Sequence, residues 1–147
     1  MGHTSSHGAT RSLPRYERRR RVTALSTEAR ELLTAAFTTS GYRVYDTVPN
    51  VPTPPAIVVR PDSPWLLPGR LGSNLNYEAR WIITIVVKKR QNAAETLDTE
   101  NAVDTVLDLI PNTFTVRAVN APQMTDLGSQ GMSVTTDIEV SIQMKEG

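Results

Sequence analysis

The sequence predicts an α/β protein of the α+β kind. It would have a mostly antiparallel or mixed sheet of four to five strands, two helices packed on that sheet, and a flexible basic N-terminal arm. Three observations carry this expectation. Residues 81–87 read Trp-Ile-Ile-Thr-Ile-Val-Val, which puts apolar groups on both sides of an extended chain and marks a central strand. Two other stretches repeat their apolar residues at spacings of three and four, the period of a helix. Near the end, Val134, Thr136, Ile138, Val140 and Ile142 alternate with polar residues, as in a strand with one wet face.

A chain of 147 residues has the length of one domain, divided here into an arm, residues 1–21, and a folded unit, residues 22–147. Its hydrophobic fraction of 39%, with two Phe, two Trp and four Tyr, makes a lean core and favours a subunit of an assembly. There is no cysteine, hence no disulfide framework and no thiolate chemistry. The start has no apolar core of the signal-peptide kind, and no run approaches the ~18 apolar residues of a membrane span. A net charge of +1 conceals an asymmetry: residues 11–21 hold six arginines and one glutamate, leaving 10 basic and 14 acidic residues elsewhere. The basic character belongs to the arm, in which Arg15, Arg18, Arg19, Arg20 and Arg21 suit a subunit contact or a polyanion.

Taken in order, the first helix is expected from Val22, with Leu25, Ala29, Leu32, Leu33, Ala36 and Phe37 as its stripe. Ser26 or Thr27 is its candidate N-cap, and Gly41 its left-handed stop. Residues 42–46 form a short extended piece. Pro49, Pro52, Pro54 and Pro55 then make a stiff connection, or alternatively a proline-rich ligand, before a strand at residues 56–60. Residues 61–74 read as a long loop, in which Trp65, Leu66, Leu67 and Leu71 are too apolar for solvent. They are expected either to fold back on the domain or, as the favoured reading, to meet another chain, with Trp65 as anchor. The second helix lies within residues 92–110, capped either at Asn92 or near Asp98, and is closed by Pro111. Its apolar side has Leu97, Val103, Val106, Leu107 and Ile110. Glu100, Asp104 and Asp108, spaced by four, form an acidic stripe suited to a basic neighbour or to solvent. A strand at 113–119, a loop at 120–131 and the alternating strand complete the chain.

No catalytic, cofactor or metal site is expected. The two histidines, His3 and His7, fall in the lead-in, and neither GxGxxG nor GxxxxGK[ST] occurs. A hydrolytic centre would need Glu100, Asp126 and Asp137 brought together, which nothing in the sequence requires.

The order of elements resembles the tail terminator proteins of long-tailed, siphovirus-type bacteriophages. The residues carrying the resemblance are Tyr45-Asp46-Thr47-Val48-Pro49, Ala56-Ile57-Val58-Val59, residues 81–87, the helix at 101–108 and the strand at 134–142. It spans residues 22–143 and does not include the arginine-rich arm. It implies a structural virion protein at the head-proximal end of the tail, assembled in the host cytoplasm, with no cofactor and no membrane. Six copies would close into a hexameric ring that caps the tail tube protein, ends tube polymerisation, joins the head–tail connector or stopper protein, and lets genomic DNA pass through its lumen. The alternatives are a head-completion or other neck subunit, and a small DNA-binding module using the arm. A ring of identical subunits needs two different sticky patches, and the basic arm with the acidic second helix would supply them.

Overall fold

The computed structural model describes residues 15–49, 51–71, 74–90, 93–126 and 131–145. The elements in chain order are α1 (Arg15–Ala36), β1 (Arg43–Tyr45), β2 (Ala56–Leu71), β3 (Asn74–Lys88), α2 (Ala93–Leu109), β4 (Thr115–Val119), β5 (Gln123–Asp126) and β6 (Met132–Lys145). They build one six-stranded sheet in the order β1-β2-β3-β6-β4, with β5 also paired to β6. Only β1 runs parallel to its neighbour, and the other pairings are antiparallel. The expected α+β architecture is present, with one more strand than the upper bound of the sequence reading.

Strand β3 is central because both its backbone edges are used: Ile83 lies opposite Val59 of β2 and Ile138 of β6. Its odd-numbered residues Trp81, Ile83, Ile85 and Val87 face the helices and are buried with Ile57, Val59, Ile138 and Val140. Each of these side chains contributes roughly 1.5–3 kcal/mol gross on burial. Helix α1 covers the β2 side with Ala29 and Leu33, one turn apart, and Phe37 follows just beyond its end. Helix α2 covers β3 and β6 with Ala102, Val106 and, after its last turn, Ile110. The chain leaves α1 through tight turns, in which Phe37 N–H donates to Thr34 O and Ser40 N–H to Phe37 O. Gly41, at φ +86°, then takes the left-handed conformation expected of it.

Four expectations are corrected. Helix α1 starts at Arg15, so its helical backbone begins seven residues before the expected Val22. Ser26 is consequently not a cap but a fully buried mid-helix residue whose Oγ has no hydrogen-bond partner among the described residues. Residues 61–71 are not a loop: they continue β2, which pairs with β3 out to Leu71 opposite Asn74. The prolines at 61, 64 and 68 fit because β1 pairs only with residues 56–58 of β2, leaving the rest of that strand as a sheet edge where a missing amide donor is tolerated. Finally, the expected loop at 120–131 contains β5, and Met124 and Thr125 pair with Val134 and Ser133.

The packing makes a direct stability prediction. Replacing the fully buried Ile83 by Ala leaves a cavity in the middle of the sheet and should cost about 2–5 kcal/mol in urea denaturation. Leu32, on the same apolar stripe in sequence but 52% exposed, should cost about 0.5 kcal/mol or less when changed to Ala.

Candidate functional site

The two faces of the sheet differ in kind. On the face away from the helices, polar side chains of β2, β3, β4 and β6 form a lattice of ion pairs. Arg60 donates through Nε to Thr84 Oγ1 (3.2 Å) and through a terminal nitrogen to Asp137 Oδ2 (3.2 Å), while Thr84 Oγ1 donates to Asp137 Oδ1 at 2.7 Å. Arg80 lies between Asp62 (3.2 Å) and Glu139 (3.6 Å), and Arg117 reaches Glu78 at 2.7 Å. Arg60, Arg80 and Arg117 are thus each engaged by carboxylates on this face. Its apolar end, Ala56, Val58 and Val86, is buried beside Tyr45, whose hydroxyl accepts a hydrogen bond from Thr53 N–H (3.3 Å) and so ties down the proline-rich connection. The expected wet face of β6 is therefore only partly wet: Ser133 and Ser141 are buried, and Asp137 and Glu139 are engaged in pairs.

Unsatisfied apolar surface lies on the helix side. The helix layer runs from α1 over β2 to α2 over β3 and β6, and beyond α2 the sheet continues into β4 without cover by a described helix. A groove of about 350 Å³ opens there. Val103 and Val134 line it together with Val119 and Pro122 from the β4–β5 side, and Glu100 and Asp104 of α2 form its acidic wall. Val119 is 45% exposed and Met124 48%. Met124 is opposite Val134 and Met132 is two residues before it, so both point to the groove side of the sheet. Leu97, also exposed, precedes Glu100 by one helical turn. The β4–β5 wall is anchored, with Asn120 N–H donating to Asp137 O (2.8 Å) and its side-chain nitrogen to Glu139 Oε2 (3.0 Å). Glu100 and Asp104 form no ion pair among the described residues.

The candidate residues therefore separate into groups. Glu100, Asp104 and Asp108 are all exposed on α2, as the four-residue spacing requires, but only the first two border the groove. Trp65, expected to anchor a contact with another chain, is partly buried against the protein's own core, edge-on to Trp81 with ring centroids 6.2 Å apart and planes at 75°. The cause is the irregular stretch between Pro61 and Leu66, where β2 has more residues than the facing β3 and turns the indole inward. Leu66 and Leu67 are half-buried, and the side chain of Leu71 is outside the described residues. The side chains of Arg15, Arg18, Arg19, Arg20 and Arg21 are outside them too, as are His3 and His7 entirely. Glu100 and Asp137 stand on opposite faces of the sheet, so no carboxylate centre forms between them.

Sequence reasoning missed the apolar side of the groove that Val119 and Pro122 supply. The exposed Met124 and Met132 stand on the same face of the sheet but do not line it, and only the extension of the alternating pattern from Val134 back to Met132 signals either of them. No family model matches the chain, and no curated protein aligns with it.

Two measurements check this geometry. Trp65→Ala should destabilise the isolated chain by about 2–4 kcal/mol, where an interface anchor would leave its stability unchanged. A double-mutant cycle on Asp62 and Arg80, whose side chains are 11% and 19% exposed, should give a larger coupling than one on Arg90 and Asp98, at 56% and 34%. The second pair should fall near or below about 0.5 kcal/mol.

Proposed function

We propose that this protein is a structural assembly subunit that closes head-to-tail into a ring, in the role of a tail terminator at the head-proximal end of a long phage tail. The observation that carries the reading is the position beyond α2, where an apolar groove with an acidic wall stands at one end of the helix layer and the arginine-rich start of α1 belongs to another part of the molecule. Two unlike patches, complementary in charge, are what a rotational ring of identical copies requires. The element order supports the same reading: helix, Tyr45-Asp46 segment, strand, long Trp81 strand, helix and terminal strands. In that role the ring would end tube growth and present a face to the head connector, working through shape and contact surfaces.

A purified sample examined by native mass spectrometry and negative-stain imaging, alone and with tail-tube rings, tests this. The expected outcome is a closed ring of six copies that binds the tube end. A chain that stays monomeric at every concentration and ignores the tube would contradict it, and salt-sensitive binding of duplex DNA by the monomer would favour a nucleic-acid module instead.

A further inference from the structure

We propose that the groove beyond α2 seats the arginine-rich start of α1, residues 15–21, of a second copy of this chain. The inference rests on the assembly reading above and names the contact that would make it. The groove occupies the place in the helix layer that a third helix over β6 and β4 would fill, and the backbone of residues 15–21 is already helical. The chemistries match. Residues 15–21 contain five arginines, one glutamate and one tyrosine, while the groove has two carboxylates that form no ion pair among the described residues, above an apolar floor. Arginine suits such a seat because its aliphatic stem covers apolar surface such as Val103, Val119 and Val134 while its guanidinium reaches the rim carboxylates.

The occupant comes from another copy because α2 stands in the way of the chain's own helix. Helix α1 packs over β2 and α2 over β3 and β6, so the groove lies on the far side of α2 from α1. A continuous helix anchored by Ala29 and Leu33 cannot fold back across α2. Arg15 lies eleven residues before the buried Ser26, about 16 Å along the helix axis, which is a reach suited to an adjacent molecule.

The full-length chain supplies its own test. Self-association is measured by sedimentation for wild type, for Arg18, Arg19, Arg20 and Arg21 all changed to Glu, for Glu100→Arg with Asp104→Arg, and for the two sets combined. Each set alone should weaken association at least about tenfold, and the combination should restore most of it. Circular dichroism melts confirm that each variant is folded, and Glu100→Gln with Asp104→Asn replaces any that is not, with a smaller loss expected. Because the chain has no cysteine, an Arg18→Cys chain mixed with a Glu100→Cys chain should give an oxidised dimer containing one of each. Association unchanged by either set, or no recovery on combining them, overturns this contact while leaving the assembly reading standing. The same holds for a link formed only within one chain carrying both cysteines. A wild type that never associates overturns both.

Discussion

The structure depends on β3 being wanted on every side at once. Its backbone edges are taken by β2 and β6, its odd-numbered side chains by the two helices, and its even-numbered ones by an ion-pair lattice that ends in a small buried apolar patch. Seven consecutive residues with no gap in cover fix the register of the neighbouring strands, because a slip by one residue would exchange Ile83 and Ile85 for Ile82 and Thr84 against the helices. Trp65 closes this arrangement at one end by returning from the irregular part of β2 onto Trp81. Both tryptophans of the chain thus meet at this end of the sheet.

From that centre follows an imbalance. Among the described residues a sheet five strands wide along its main path has two helices to cover it, and these sit over β2, β3 and β6. The face away from the helices answers for itself with paired charges. The helix side does not, and its remaining apolar residues collect beside the acidic flank of α2. An assembly of identical copies needs two unlike patches, and surplus apolar surface beside acidic residues together with an arginine-rich helix start meets that requirement.

Periodicity made β3, β6, α2 and the packed part of α1 legible, because each repeats its apolar residues over enough positions for a face to stand out. Proline misled the reading of residues 61–71. Three prolines imply a loop when a strand is taken to have partners on both sides, whereas the outer edge of β2 beyond Val58 needs no donors. The start of α1 is not visible as periodicity because polar arginines carry no apolar stripe, although arginine is a good helix former. Of the candidate site, the acidic wall was visible as Glu100 and Asp104 on one helical face. The apolar wall was not, since Val119 and Pro122 come to face α2 only through the pairing of β4 and β5 with β6.

Amide hydrogen exchange measured on dilute and concentrated samples of the full-length chain separates the two levels of the structure directly. Strand β3 from Trp81 to Val87 should be the slowest-exchanging segment at both concentrations, as the one whose opening requires global unfolding. Helix α2 around Glu100 and Asp104, together with β4, should gain protection only in the concentrated sample. Fast exchange in β3, or protection of α2 and β4 that does not change with concentration, would contradict the picture of a self-sufficient sheet whose helix layer is completed by a neighbouring copy.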